Sequence, residues 1–201
     1  MLQVSTVLAE FVGDIEALVA SEPDHHRVTA GVQRRLDSLL AGPEFLTEQQ
    51  REPDPEHYRS HLLVVAPSRK FSVVGLVWLP GQITPIHDHI CWCVVGVLQG
   101  VEHEQRFGLR ASAMDGNGGH WLVAEGSETL TAGHTCALIP PEENIHQVCN
   151  AGDGVAISIH VYGDDIERYK SSINQCFDDL PVREGDAGDG NAVAWRRIRW
   201  V

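Results

Sequence analysis

A chain of 201 residues, 43% of them hydrophobic, is long enough to bury one sizeable core, so a single domain is the expectation. Its formal net charge of -13 at pH 7 excludes a phosphate backbone or an anionic membrane surface as partner, because either needs clustered Lys and Arg. Five cysteines without a scaffold spacing are expected to be free thiols in a reducing, cytoplasmic compartment.

The first twenty residues carry no basic leader and include Glu10, Asp14 and Glu16, so they are neither signal peptide nor membrane span. Leu2, Val7, Leu8, Phe11, Val12, Ile15, Leu18 and Val19 instead recur at three- and four-residue steps, the stripe of an amphipathic helix. A second helix is predicted from Asp24 to Leu40, closed by Gly42 and Pro43. Past a short segment from Leu46 to Arg51 the chain becomes rich in Val, Ile, Leu and Trp, cut by Gly and Pro. Strands are predicted at 58–66, 70–79, 86–98, 101–108, 119–125, 135–139, 145–149 and 154–162, with a turn at 115–119. Many short strands at regular spacing predict a mainly β sandwich or barrel with the helices outside. Residues 164–177 are expected to be a helix or an irregular extension, 184–190 a weakly ordered acidic stretch, and 194–201 a final strand.

Chemistry concentrates in Gly81-Gln82-Ile83-Thr84-Pro85-Ile86-His87-Asp88-His89. Side chains on a strand repeat every second residue, so His87 and His89 point the same way and can chelate one ion. His146 is the natural third ligand. Three neutral imidazoles with open positions suit zinc as well as iron, and the residues alone leave that choice open. Asp88 faces away and is expected either to accept from a ligand's other ring nitrogen or to lie on the surface. The pair His25 and His26, on different faces of a helix start, belongs to a solvated surface. Core packing is the expectation for Cys91, Cys136, Cys149 and Cys176, and Cys93 is either a small apolar filler of the same kind or part of the site.

These motifs resemble the thiol dioxygenases of the cupin superfamily, the cysteine dioxygenase and 3-mercaptopropionate dioxygenase group, over about Tyr58 to Tyr162. Gly81, His87, His89 and Gly100 meet the first cupin motif, with Cys93 where most cupins carry a metal-binding Glu. Pro141, His146 and Asn150 meet the second, with Glu143 where Gly is usual. Ser158-Ile159-His160-Val161-Tyr162 matches the family's Ser-x-His-x-Tyr strand, and Trp78 falls where the family keeps a tryptophan beside that trio. The resemblance implies a double-stranded β-helix (jelly-roll) barrel over 58–162, preceded by helices in 1–51 and followed by an extension over 163–201. It implies Fe(2+) on His87, His89 and His146, with a small thiol and dioxygen as substrates. Ser158, His160 and Tyr162, with Cys93 beside them, would be the catalytic group.

Other readings keep their place: a cupin that binds a small ligand through its metal without catalysis, or one using another metal. Cys93 occupies the position from which some cysteine dioxygenases form a thioether with the active-site tyrosine; here such a link to Tyr162 would remove two hydrogens. Tyr58, Arg59, Ser60, Trp78 and Arg168 are the expected substrate-binding residues. Both family carboxylate anchors are nevertheless out of register, because Ser60 stands two residues after Tyr58 and Ser171 nine after Tyr162. Alternation turns Arg59 away from Ser60, which leaves Arg59, Arg168 and Lys170 as nearby cations and predicts a thiol with a different polar tail. Oligomeric state is not legible.

Overall fold

The computed structural model describes residues 5–42, 45–111, 119–141 and 144–183. The expected stop at Pro43, most of the turn at 115–119, Glu143, the acidic stretch and the final strand lie outside them.

Helix α1 (Thr6–Ser21) starts where the Ser5 hydroxyl accepts from the Leu8 N–H, and α2 (His25–Leu40) where the Asp24 carboxylate accepts from the Arg27 N–H. Their buried stripes, Leu8, Phe11, Val12 and Ile15 on one and Val28, Val32, Leu36 and Leu39 on the other, share a core with one sheet of the barrel. No helix among the described residues is long and apolar enough to cross a membrane.

Eleven described strands follow: β1 (Arg59–Val65), β2 (Ser72–Trp78), β3 (His87–His89), β4 (Cys93–Gln99), β5 (Val101–Ala111), β6 (His120–Thr131), β7 (Thr135–Leu138), β8 (Ile145–Asn150), β9 (Ala156–Tyr162), β10 (Ile173–Cys176) and β11 (Val182–Arg183), with a one-turn helix α3 (Ile166–Tyr169) before β10. They form two sheets, β1-β2-β9-β4-β7 and β10-β3-β8-β5-β6-β11. Every pairing is antiparallel except β11 with β6. This is the mainly β, double-stranded β-helix architecture with N-terminal helices on its outside.

Strands β2 and β9 are buried along their whole length because the first sheet is covered on both faces. Val73 and Val77 of β2 and Ile157, Ile159 and Val161 of β9 point to the helices. The intervening residues Val74, Leu76, Trp78, Ala156 and Tyr162 point into the barrel, as do Cys93, Val95 and Val97 of β4. The inner face of β9 therefore presents Ser158, His160 and Tyr162 in a row.

Two expectations are corrected. The predicted strand 86–98 is two strands in different sheets: β3 pairs with β8 and β10, β4 with β7 and β9. The crossing at Ile90-Cys91-Trp92 contains neither Gly nor Pro, so nothing local marks it; burial of Trp92 beside the helices fixes it. Likewise, the extension after Tyr162 is a single helical turn and then β10. Its pairing with β3 is non-local, and the Asp88 carboxylate pins it by accepting from Asn174 Nδ2 and the Gln175 N–H. Strands β5 and β6 also run further than predicted, to Ala111 and Thr131.

Two glycines hold the layers at their spacing. Gly100, which closes the first motif, turns at φ +82°, and a Cβ there would lie 2.8 Å from Ala156 Cα. On the outer face of β4, a Cβ at Gly96 would meet Leu36 and Leu40 of α2 at 2.6 and 2.8 Å. Gly96→Leu is therefore expected to destabilise the fold by about 1–3 kcal/mol through overpacking, read as a lower denaturant midpoint. An unchanged midpoint would show that α2 does not pack as described.

Candidate metal centre

Strand β3 carries His87 and His89 on its inner face, and His146 lies opposite His87 in the β3–β8 ladder. The three rings are buried and their ligand atoms all lie within 4.8 Å of one another. Each outer nitrogen is held by an oxygen. His87 Nδ1–H donates to Pro85 O at 2.8 Å, His89 Nδ1–H to Ser172 O at 3.2 Å, and His146 Nδ1–H to Glu104 Oε1 at 2.7 Å. A carbonyl or carboxylate can only accept, so each ring donates through Nδ1 and turns its Nε2 to the others. Burial, then repulsion from His146, pushes His87 down to about 3 and holds His89 well below its ordinary value, so both rings are neutral near pH 7.

His89 Nε2 and His146 Nε2 are 3.0 Å apart. That spacing brings two ring nitrogens to one point, where a cation would be bound by both. The donor set therefore fits a divalent transition metal with positions left open. Glu104, opposed by burial but outweighed by the hydrogen bond from His146 and the charge of Arg106, sits below the usual carboxylate range. Arg106 secures its second oxygen through Nε at 3.2 Å and Nη2 at 3.1 Å.

Beside the histidines runs the inner row of β9. Ser158 Oγ is 2.9 Å from His160 Nε2, and Tyr162 Oη is 3.3 Å from His160 Nδ1. Trp78 Nε1–H donates to Ser158 Oγ at 3.3 Å, and Tyr58 stacks on Trp78 with centroids 4.4 Å apart. Cys93 is opposite Tyr162 in the β4–β9 ladder, its Sγ 3.9 Å from His160 Nδ1. Burial raises both the Cys93 thiol and the Tyr162 phenol well above their ordinary values, so each keeps its proton.

These groups open on a cavity of about 440 Å³ whose wall includes Tyr58, Ser60, Trp78, Glu167, Lys170 and Ser172. Of the residues expected to bind substrate, Tyr58, Ser60 and Trp78 line this cavity, and Arg59 and Arg168 do not. Arg59 alternates with Ser60 and reaches Asp54 at 3.5 Å and Glu52 at 3.8 Å; Arg168 lies over the exposed Tyr169 ring, 5.6 Å from its centroid. Among the described residues the lining cation outside the histidines is Lys170.

Asp88 serves β10 rather than a ring nitrogen. Cys136 and Cys149 are buried as expected, whereas Cys91 is half-buried and Cys176 exposed, because β10 is an edge strand of its sheet. Glu104 escaped sequence reasoning. Glu102 and Glu104 alternate with Val101, His103 and Gln105, a pattern equally suited to an outward, solvated face, and only the pairing of β5 with β8 turns the acids inward.

Replacing His87, His89 or His146 by Ala is expected to abolish stoichiometric metal binding, and Glu104→Gln to weaken it about 10–100-fold through the loosened His146 ring. Metal content after dialysis, with circular dichroism as a folding control, checks this; full occupancy in His146→Ala would overturn the ligand set.

Several solved structures are similar to this chain. The TT1209 protein from Thermus thermophilus matches at 18% identity and TM-score 0.41, over 58% of this chain and 92% of its own. A conserved protein with a double-stranded β-helix domain from Klebsiella pneumoniae subsp. pneumoniae matches at 17% and 0.43, over 62% and 91%. An oxalate oxidase matches at 20% and 0.44, over 61% of this chain and 60% of its own. The family described as cysteine dioxygenase type I matches residues 49–172, more than half of the chain and the whole stretch from the 3₁₀ turn before β1 to the rim of the cavity. With that match and this geometry, the chain belongs to the cysteine dioxygenase type I family.

Proposed function

We propose that the protein is a mononuclear non-haem iron(II) dioxygenase that oxygenates the sulfur of a small thiol, giving a sulfinate or a product derived from it. The observation that carries this reading is the adjacency of three histidine ligand atoms and a neutral Tyr162 hydroxyl in one cavity. Ferrous iron on His87, His89 and His146 would supply the Lewis acidity that makes the thiol a thiolate and the redox chemistry that activates dioxygen.

The chain's own part is orientation and electrostatics. Imidazole ligands, each fixed through Nδ1, would add no negative charge to the bound ion, so an anionic sulfur is attracted. Tyr162 keeps its proton and can donate a hydrogen bond into the cavity as negative charge develops there. Cys93, a buried thiol, does not compete as a ligand; its position opposite Tyr162 supports the expected thioether. Leu62, Val74, Leu76, Val148 and Ile166 make the remaining wall apolar, which limits water around the reacting atoms.

Lys170 is our candidate anchor for the polar tail of the thiol, with Glu167, Ser171 and Ser172 around it. A lysine is a point charge where the family's arginines are bidentate forks, which supports a substrate other than the family's usual pair. We further read the chain as one cupin domain, supported by the core shared between helices and barrel, and as cytoplasmic, supported by its five free cysteines.

Metal analysis of protein purified without added metal, joined to an oxygen-electrode screen over small thiols, tests the reading. Iron in stoichiometric amount and thiol-dependent oxygen uptake are expected; zinc occupancy, or no uptake with any thiol, would refute it. In the active protein Tyr162→Phe should lower kcat by about a hundredfold or more. Lys170→Ala should raise KM for a thiol carboxylate about tenfold, while Arg59→Ala and Arg168→Ala leave it in place. Peptide mapping after turnover should find the Cys93–Tyr162 pair two hydrogens lighter.

A further inference from the structure

Glu102 is a buried acid that the chemistry above does not use. It is 1% exposed, on the inner face of β5, and neither carboxyl oxygen has a hydrogen-bond partner. An unpaired carboxylate in such a place is costly, so the group is held as an acid with one O–H in search of an acceptor. Burial pushes its pKa up to about 7, with Glu104 adding to the rise and Ser158 and Trp78 near enough to oppose it. The titratable groups around it are Glu104 on its own strand, Cys149 of β8 and Cys136 of β7. Facing it from β9 is Ser158, the inner end of the row that leads through His160 to Tyr162.

That row has two hydrogen-bond directions. Burial and repulsion from His146 and His87 push His160 down to about 3, so the ring is neutral and one nitrogen carries the proton. When Ser158 donates to Nε2, the proton is on Nδ1, Tyr162 Oη accepts it, and the phenol's own O–H is free for the cavity. When Ser158 donates the other way, Nε2–H points at Ser158, Nδ1 accepts from Tyr162, and the phenol proton is turned inward. Trp78 donates to Ser158 in either case. A group that exchanges a hydrogen bond with Ser158 from its far side would therefore select the direction.

We infer that Glu102 is a positioning residue for the Tyr162 proton: as a carboxylic acid it donates to Ser158 and frees the Tyr162 O–H for the cavity, and as a carboxylate it accepts from Ser158 and turns that O–H inward. Passing from the first state to the second moves one proton along the row. The carboxyl O–H breaks, the Ser158 O–H, His160 Nε2–H and Tyr162 O–H are remade, and the phenol's original proton leaves into the cavity. No electron moves. Glu102 is thus also a reserve of one proton for a group that becomes basic beside Tyr162. The catalytic meaning rests on the thiol-dioxygenase reading; the hydrogen-bond switch does not.

Infrared spectroscopy of the metal-free protein tests the switch without turnover. A carboxylic-acid C=O band should vanish as pH rises through about 7, with a simultaneous shift of a tyrosine C–O band that Tyr162→Phe identifies. Glu102→Gln should remove the first band and the pH-dependence of the second. A wild-type protein without the acid band below pH 7, or with a Tyr162 band indifferent to its loss, overturns the inference. In the iron-loaded enzyme kcat should fall as pH rises through the same range. Glu102→Gln, whose amide donates to Ser158 at every pH, should lose that fall, and Glu102→Leu should lower kcat about tenfold, the worth of one oriented hydrogen bond, with KM held. An alkaline fall that persists in Glu102→Gln overturns it; absence of turnover with every thiol would instead count against the dioxygenase reading and leave the infrared result to decide the switch.

Discussion

The 3.0 Å approach of His89 Nε2 to His146 Nε2 is the constraint around which the rest of the barrel is arranged. Two buried ring nitrogens are held that close only when the surroundings fix both rings. Here they do. His146 is fixed by Glu104, and Glu104 by Arg106, while His89 is fixed by Ser172 O at the start of β10. Removal of any one acceptor frees a ring to rotate, so the set acts as a unit and small faults in it spread to all three nitrogens.

That geometry explains why so many polar groups are buried in so small a barrel. His87, His89, His146, His160, Ser158, Glu102 and Glu104 are all at or below about one-twentieth exposure. Burial disfavours charge: it holds His87, His89 and His160 neutral and raises Glu102 to about 7. Glu104 is the exception because it accepts from the His146 ring on one side and pairs with the Arg106 guanidinium on the other. A neutral interior with one compensated carboxylate is a medium in which a single added cation has a long reach.

The two sheets divide the labour. The helix-backed sheet supplies the proton-bearing row on β9 and stiffens it, since both its faces are packed and it is paired on both edges. The other sheet supplies the ligands, with an edge strand, β10, at the cavity mouth. Glu167, Lys170, Ser171 and Ser172, just before that strand, line the rim of the cavity on the less protected side, where change costs little stability.

The order of residues was enough to specify the mainly β barrel, the two amphipathic helices, the metal-ligand pattern His87-x-His89 with His146, and the one-faced row Ser158, His160 and Tyr162. The helices, the strands, the His87-x-His89 pair and the β9 row follow from a local period, 3.6 residues for a helix and two for a strand, while His146 was supplied by its own distant motif. What the period cannot carry is which sheet a strand joins or which of its faces is inside. Long-range pairing and packing broke residues 86–98 into β3 and β4 across two sheets, made a strand of Ile173–Cys176, and turned Arg59 to Asp54. They likewise point Glu102 and Glu104 inward beneath the histidines and the β9 row, because an alternating acid pair has the same spelling on either face and pairing with β8 alone selects between them.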